Sequence, residues 1–237
     1  AGTRLLAGYT VDASKVVGIP HGATPPGLSR KVEPSLGVGR PAQLLTWGLL
    51  GPGKGIEHAI RAVSMLDDLR PQLRYTVAGA THPKVFAREG DHYRRSLIRV
   101  AHDHGAAGMV HFDDSYRDLG ELMRFVAGAS LVILPYDSRD QVTSGVLVDA
   151  VAAGRPVIAT AFPHAVELLS GGAGMVGPHA DPAALAAAIR TALCETGRLH
   201  DMAAHARALA PGLSWHSVAR QYQGLCDALA PVSAARA

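Results

Sequence analysis

The sequence predicts an α/β protein built on a doubly wound parallel sheet, followed by additional helices at its C-terminal end. Short apolar runs that suit strands alternate with longer segments in which apolar residues recur every three or four positions, as on one face of a helix. The connections between these segments are short. The run LVILP at 131–135 is apolar throughout, as expected of a strand buried on both faces of a parallel sheet.

The first part of the chain contains two strands and two helices. QLLTW at 43–47 is an apolar run bounded by proline and glycine, and it predicts the first strand. Residues 56–69 carry isoleucine, valine and leucine at helical spacing and predict a helix. RYTVA at 74–78 predicts the second strand. The segment 92–105 predicts a helix that ends at Gly105, because glycine readily adopts the conformation that follows a helix C-terminus.

The alternation continues through the middle of the chain. MVHF at 109–112 predicts a third strand and residues 118–129 predict the next helix. The apolar run 131–135 is the fourth strand. It is followed by a helix over 144–154 and a β-branched fifth strand over 156–160.

The last part of the chain is mostly helical. A short strand is expected near 174–176, and a helix over 181–193 begins with Asp181 as N-cap and Pro182 at its first position. Two more helices, separated by the turn APGLS, extend to about residue 229. The Pro- and Gly-rich residues 24–40 are expected to form a loop before the first strand.

Composition excludes several classes of protein. Hydrophobic residues make up 48% of the 237 residues and charged residues 18%, which is typical of a globular chain. The net charge of +3 forms no basic stripe, so nucleic acid is not an expected partner. Cys194 and Cys226 form no disulfide or zinc pattern. Without a long apolar run or a signal peptide, we expect a cytoplasmic location and leave open a peripheral membrane association. The start at Ala1 suggests a fragment of a longer protein.

GLLGPGKG at 48–55 is the first candidate motif. Gly48, Gly53 and Lys54 fit the pattern G-x-x-x-x-G-K between a strand and a helix, which is the setting of an NTPase phosphate loop. Gly55 stands where that loop needs a Ser or Thr hydroxyl for Mg²⁺. Three interpretations stay open: an NTPase loop, a lysine that contacts a diphosphate as a point charge, and a tight turn with a surface lysine.

QVTSGVLVD at 141–149 is the second candidate motif. Ser144 and Gly145 begin a helix at the carboxyl end of a strand, where the helix dipole favours an anion and a phosphate could approach the free N–H groups of Ser144, Gly145 and Val146. Asp149 lies about one turn into the helix and could accept hydrogen bonds from vicinal hydroxyls, and Gln141 could reach a second set of hydroxyls. A capped helix with a solvated aspartate is the alternative.

Two further patterns count against other functions. GAGMVG at 172–177 fits G-x-G-x-x-G, but Pro178 follows it instead of a helix, so we interpret it as a hairpin-like turn and not as an NAD site. Ser144 lacks the G-x-S-x-G elbow of an acyl-transfer nucleophile. The chain contains no D-x-D triplet, which argues against a metal-dependent nucleotide-sugar site.

Several segments, in this order, resemble the family 4 glycosyltransferases of the GT-B fold. They are VVGIPHGA at 16–23, the G-x(5)-K-G loop at 48–55, RYTVAGA, SLVILPYDS and SGVLVDAVAAGRPVIAT. The resemblance covers essentially the whole chain and is to the C-terminal, donor-binding domain. It implies a Rossmann-like half of a GT-B enzyme that transfers a sugar from a nucleotide-diphosphate donor with retention. The donor is a substrate, and neither a cofactor nor a metal is expected.

The resemblance also implies a domain organisation. Residues 1–40 would be the segment and loop by which the chain enters this domain from an N-terminal domain that it lacks. Residues 41–210 would be the Rossmann-like donor-binding domain, and residues 211–237 a C-terminal crossover helix and tail. The acceptor, a sugar or a lipid, would bind through the N-terminal domain. A homologue that has lost catalysis and serves as a binding module is the alternative.

Residue by residue, the resemblance assigns catalytic roles to Lys54, at the donor diphosphate, and to Gln141, at the sugar. The arginine that usually accompanies the lysine is Leu49 here, and the family's pair of glutamates is Gln141 and Asp149. Asp149 would hold the ribose, and Tyr116 would contact the base. The complete predicted donor-binding set is Gly48, Gly51, Gly53, Tyr116, Thr143, Ser144, Gly145, Val146 and Asp149.

Overall fold

The computed structural model describes residue 9, residues 11–25 and residues 41–230. Its centre is one six-stranded sheet in the order β3-β2-β1-β4-β5-β6, with every neighbouring pair parallel. This arrangement confirms the predicted doubly wound α/β fold. The strands are β1 (Ala42–Trp47), β2 (Leu73–Ala78), β3 (Val110–Asp113), β4 (Leu131–Leu134), β5 (Val157–Thr160) and β6 (Gly174–Gly177).

Helices cover both faces of this sheet, and each predicted helix is present, with ends shifted by a few residues. The first ends at Ser64 rather than 69, and a 3-10 turn over Asp67–Leu69 follows it. Asp181 is the N-cap of its helix, as predicted, and accepts a hydrogen bond from the Ala184 N–H. The helices are α1 (Ile56–Ser64), α2 (Pro83–Glu89), α3 (His92–Asp103), α4 (Leu119–Ala127), α5 (Gly145–Ala152), α6 (Pro163–Leu169), α7 (Pro182–Cys194), α8 (Arg198–Leu209) and α9 (Trp215–Leu229).

The core consists of two apolar layers, one on each face of the sheet. Successive strand residues point to opposite layers because side chains alternate along a strand. Leu44 and Ile133 belong to the layer under α1, α3 and α7, whereas Leu45 and Val132 belong to the layer under α4, α5 and α6. All four residues of β4 are buried, as the uninterrupted apolar run predicted.

The strand order places a crevice between β1 and β4. From β1 the chain moves outward to β2 and β3, and it then returns to β4 on the other side of β1. The loops that leave β1 and β4 therefore diverge at the carboxyl ends of two adjacent strands. In open α/β sheets this switch point is where ligands bind.

The helices and the segment 172–177 differ from the sequence prediction. Helices α2 and α6 are additional, and none of the residues of α2 is buried, so no apolar periodicity marks it. The short strand expected near 174–176 is confirmed, but the prediction of a hairpin-like turn at 172–177 is wrong, because Gly174–Gly177 pairs in parallel with β5 as an edge strand. Residues 26–40 of the predicted loop and the tail 231–237 lie outside the described residues.

No helix within residues 11–25 and 41–230 combines the length and the apolar character needed to cross a membrane.

Candidate functional site

The loop 48–55 leaves β1 and is fastened to the loop that leaves β4. The Asp137 N–H donates to the Gly53 carbonyl over 3.1 Å. Gly55 has a φ of +60° and lies so close to β4 that a Cβ there would be 1.9 Å from the Pro135 carbonyl oxygen. Position 55 therefore cannot carry the Ser or Thr that an NTPase phosphate loop requires. The predicted Gly51 is buried against Val85 of α2, whereas Gly53 faces open space.

Lys54 lies on the tyrosine that follows β4. Its Nζ is 4.5 Å from the ring centroid of Tyr136, which is a cation–π distance. Tyr136 is buried and stacks on Phe162 at 5.4 Å. Burial lowers the pKa of Lys54 and raises that of Tyr136 to about 12, so the tyrosine stays neutral at physiological pH. Lys54 is thus a half-buried cation, and no carboxylate in the described part of the chain forms an ion pair with it.

Helix α5 begins beside the loop 48–55. The Ser144 side chain caps the helix by accepting from the Leu147 N–H. The prediction that three N–H groups are free here needs a correction, because the Ser144 N–H donates to His164 Nδ1 over 2.8 Å. The N–H groups of Gly145 and Val146 have no acceptor among residues 11–25 and 41–230. These two groups remain available to an anion.

His164 accepts the Ser144 N–H, so its Nδ1 carries no proton in this arrangement. Burial lowers the pKa of His164 below its usual 6.5. A lowered pKa means that the unfolded chain binds the proton more tightly. The stability that His164 contributes is therefore complete above about pH 6.5 and is lost as the pH falls through the folded-state pKa.

We expect His164→Asn to reduce this loss, because the asparagine Oδ1 can replace Nδ1 as acceptor and does not titrate. Urea unfolding at about pH 5 and about pH 7.5 measures the effect. The stability difference between the two pH values should be smaller in the variant than in wild type. His216→Asn changes an exposed histidine and is the control. Equal pH dependence in His164→Asn and wild type would show that the histidine titrates freely.

Asp149 lies one turn into α5 and is half-buried. Burial raises the pKa of its carboxyl, and the charge of His21 opposes that rise. A raised pKa adds stability at low pH that is lost as the pH rises through the folded-state pKa. At neutral pH the site therefore holds a carboxylate that the fold alone does not favour, which is typical of a group retained for a ligand.

We expect Asp149→Asn to raise the thermal unfolding midpoint at pH 7 and to weaken nucleoside diphosphate binding about tenfold, because asparagine cannot offer charged acceptors to hydroxyls. The gain in stability should disappear below about pH 4, where the wild-type carboxyl is protonated. Asp140→Asn changes an exposed aspartate of the same loop and is the control. A lower midpoint at pH 7 would contradict this account.

The residues between β4 and α5 bind one another. The side-chain amide of Gln141 donates to the Thr143 backbone carbonyl over 3.1 Å. The backbone carbonyl of Gln141 accepts from the backbone N–H of His164 over 3.2 Å. Thr143 is exposed. The side chain of Gln141 thus has a partner within its own loop, and its predicted contact with a sugar stays a prediction.

Gly48 lies at the start of the loop that leaves β1, next to the first turn of α5. Its N–H continues the β1–β2 ladder by donating to the Ala78 carbonyl over 3.0 Å. A Cβ on Gly48 would lie 3.9 Å from the Val146 side chain, so the start of the β1 loop contacts the start of α5. The structure therefore brings together Gly48, Lys54, Val146 and their neighbours at the β1–β4 crevice.

Tyr116 is not part of this group. It follows β3 at the edge of the sheet, its side chain is 93% exposed, and it forms no ring contact or hydrogen bond within the described residues. The adjacent Asp113 and Arg117 form an ion pair that lowers the pKa of the aspartate to about 2. The assignment of Tyr116 to a base stays a prediction.

One residue at the site has no role in the sequence prediction, namely His21. It belongs to the segment 16–23, whose last residue pairs with the start of α9: the Ala23 N–H donates to Leu213 and its carbonyl accepts from Trp215. The His21 ring contacts Trp215 at 5.3 Å and lies against Gly145. With His164, it lines a cleft of about 590 Å³. A contact between residues about 190 positions apart has no local sequence signal.

One group of side chains has a composition that could hold a metal ion. The ligand atoms of Glu57, His58 and Asp137 lie within 4.8 Å of one another. His58 Nε2 is 3.5 Å from Asp137 Oδ1, and the Tyr93 hydroxyl donates to Glu57. The contacts of His58 and Glu57 also join α1 to the β4 loop and to α3. The expectation that the site uses no metal stays a prediction.

The fold is similar to that of several solved proteins, although the sequence identities are below 25%. HepE from Anabaena, in complex with UDP and glucose, is 22% identical with a TM-score of 0.77 over 97% of this chain and 61% of HepE. Sucrose-phosphate synthase from Thermosynechococcus elongatus is 22% identical with a TM-score of 0.76 over 96% and 56%. The C-terminal domain of LpcC from Francisella tularensis is 14% identical with a TM-score of 0.61 over 81% and 94%.

The chain thus spans 61% and 56% of the first two proteins and matches a domain of the third that was solved alone. None of the curated proteins compared with it matches. Residues 31–209 match the family described as glycosyl transferases group 1. This match contains β1 to β6, the loop 48–55 and the start of α5. The chain therefore belongs to the group 1 glycosyl transferases and carries a GT-B-type domain of that family.

Proposed function

We propose that this chain is the donor-binding domain of a retaining, family 4 glycosyltransferase that uses a nucleotide-diphosphate sugar. One observation carries the proposal. Lys54 and the unpaired N–H groups of Gly145 and Val146 lie at the carboxyl ends of β1 and β4, the two strands that flank the switch point. A half-buried cation beside two free donors at a helix N-terminus suits a diphosphate.

The proposed mechanism places the departing diphosphate in this crevice. Lys54 and the two N–H groups would stabilise the charge that develops on the leaving oxygen as the sugar–phosphate bond breaks. Preorganised donors of this kind each contribute about 2.7–4 kcal/mol by mutagenesis. Asp149 would hold the ribose hydroxyls, and Gln141 would turn its amide from Thr143 to the sugar. The acceptor hydroxyl would attack the anomeric carbon from the same face as the leaving group and would pass its proton to the departing phosphate oxygen, with retention at the anomeric carbon.

The proposal assigns no metal to the reaction. Position 55, where a phosphate loop would bind Mg²⁺ through a hydroxyl, has no room for a side chain. The backbone N–H of Lys54 donates to the Gly51 carbonyl within the loop, so only the side chain of Lys54 is available to a ligand. Charge neutralisation would rest on side chains and helix N–H groups.

The proposal includes partners beyond this chain. HepE was solved with UDP and glucose, and its fold covers nearly all of this chain, which favours UDP as the first nucleoside diphosphate to test. The acceptor, a sugar or lipid, would bind against an N-terminal domain, with a peripheral membrane contact. By itself the chain would bind donor weakly and transfer nothing. A cytoplasmic location is part of the proposal and agrees with two unpaired, exposed cysteines, Cys194 and Cys226.

Calorimetric titration with UDP, GDP and ADP, each with Mg²⁺ and with EDTA, tests the proposal. Saturable binding of one diphosphate that does not depend on Mg²⁺ is the expected result. Binding that requires Mg²⁺, or turnover of ATP or GTP, would overturn the metal-free donor site. Sugar transfer by the 237 residues alone would overturn the requirement for a second domain.

A second candidate keeps the binding site without the catalysis. It is favoured by two observations: the Gln141 amide is already bonded to Thr143, and the exposed residue at position 49 is an apolar leucine. In this case the full-length protein would bind the donor without hydrolysing or transferring it. Release of free sugar from the donor by the full-length protein excludes this candidate.

A further inference from the structure

The charge of the proposed ligand exceeds what Lys54 supplies. A terminal phosphate carries about −1.5 to −2 charges at pH 7, and a diphosphate carries more. Burial lowers the pKa of Lys54, so the site favours its charged form less than water does. Leu49, beside Gly48, is exposed and uncharged. A second basic group at the start of α5 would complete the site.

His21 is in the position to be that group. A Cβ built on Gly145 would lie 3.4 Å from His21 Cε1 and 3.5 Å from His21 Nε2. The imidazole edge therefore lies directly beside Gly145, whose N–H has no acceptor in the described part of the chain. His21 is exposed and lines the same cleft as Thr143 and His164, so a ligand in the cleft can reach the ring.

Contacts with Leu213 and with Trp215 of α9 fix the chain beside His21. A Cβ on Gly22 would lie 2.3 Å from the Trp215 ring, so the chain passes as closely as a glycine allows. Backbone hydrogen bonds of 2.7 and 3.1 Å join Ala23 to Leu213 and Trp215. The imidazole thus contacts both the indole of Trp215 and the start of α5 before any ligand arrives.

We propose that His21 is a second basic contact of the donor diphosphate, and that its imidazolium donates a hydrogen bond from Nε2 to a phosphate oxygen beside the N–H groups of Gly145 and Val146. This inference rests on the proposed function and adds a residue that makes donor affinity depend on pH. Imidazole is the side chain that normally changes charge between pH 5 and 8. The diphosphate binds the charged form, so donor affinity increases as the pH falls.

Among the described residues, Asp149 on α5 and His164 on α6 are the titratable groups that interact electrostatically with His21. The group from α9 is the uncharged ring of Trp215. Both neighbours are unchanged in a His21 variant, and the ligand's own titration is common to all variants. A comparison of variants at each pH therefore isolates His21.

The test is calorimetric titration of wild type, His21→Gln and His216→Gln with UDP at about pH 6 and about pH 8. His21→Gln should weaken UDP about tenfold at the lower pH and less than about twofold at the higher pH. His216→Gln changes an exposed histidine of α9 and should match wild type at both. Inorganic pyrophosphate should show the same pattern as UDP, because the proposed contact is to phosphate and not to the base.

The outcomes separate the inference from the function on which it rests. If wild type binds none of UDP, GDP or ADP, the donor site itself fails and the role of His21 fails with it. If wild type binds UDP and His21→Gln has the same affinity and pH dependence, only the inference is overturned. A loss that is equal at both pH values would assign His21 a purely structural role and would also overturn the inference.

Discussion

Replacement of Lys54 with alanine should weaken nucleoside diphosphate binding about 10- to 150-fold, because it removes a charge-assisted contact that is worth about 1.5–3 kcal/mol. In the full-length enzyme, kcat should fall about 10²- to 10³-fold if the lysine stabilises the leaving group. The fold should tolerate the change. The variant loses only the contact between the Lys54 ammonium and the Tyr136 ring, which is worth about 0.5–1 kcal/mol. The variant also no longer has the cost of keeping a cation half-buried.

Calorimetric titration and urea unfolding of Lys54→Ala measure the two effects separately. Lys84→Ala, an exposed lysine on α2, is the matched control and should bind like wild type. Retention of full affinity by Lys54→Ala would show that the ammonium stays on Tyr136 when a ligand is present. A large loss of stability would show that its contact with Tyr136 is structural. Either result would remove Lys54 from the donor site.

Gly55→Ser should destabilise the protein by about 3 kcal/mol or more. Serine at a φ of +60° costs about 1–2 kcal/mol by itself. Its Cβ would also be 1.9 Å from the Pro135 carbonyl oxygen, so either the loop 48–55 or the end of β4 must move. The variant places a hydroxyl where an NTPase phosphate loop has one, yet it should hydrolyse neither ATP nor GTP with Mg²⁺.

Gly53→Ser is the matched control for this effect. Gly53 lies in the same loop with a φ of +86°, but a Cβ there has no neighbour within 4 Å. It should therefore lose only the backbone term of about 1–2 kcal/mol. Urea unfolding of both variants measures the difference, which is the cost of the contact with Pro135. Equal stabilities would mean that the two loops are not held together as the structure indicates.

The sequence could place several residues at the candidate site, but it could not identify the distant side chains that contact them. Lys54, Gly145, Val146 and Asp149 could be placed at the site from sequence, because residues that follow parallel strands lie at one edge of a sheet. Their partners could not be predicted. Tyr136 under Lys54 resembles any buried aromatic residue at a strand end, and no local pattern assigns it a cation.

The hydrogen bond of His164 with Ser144 is a second contact that the sequence could not predict. His164 lies in the first turn of α6. Only the packing of α6 against α5 directs its Nδ1 to the Ser144 N–H and so reduces the expected set of free donors from three to two. A hydrogen bond between residues 20 positions apart depends on how two helices meet, which local propensity does not specify.

The sequence by itself determined the α/β class, most of the succession of strands and helices along the chain, and the two loops that are proposed to carry the site. Alternating periodicity, cap residues and glycines are local features, and they act before the chain is compact. The tertiary structure alone decided the strand order, the contact of Gly55 with Pro135, and the position of His21 against Gly145 and Trp215. These features depend on close packing between segments that are distant in sequence. Such packing is determined by the shape and burial of the side chains and not by local sequence patterns.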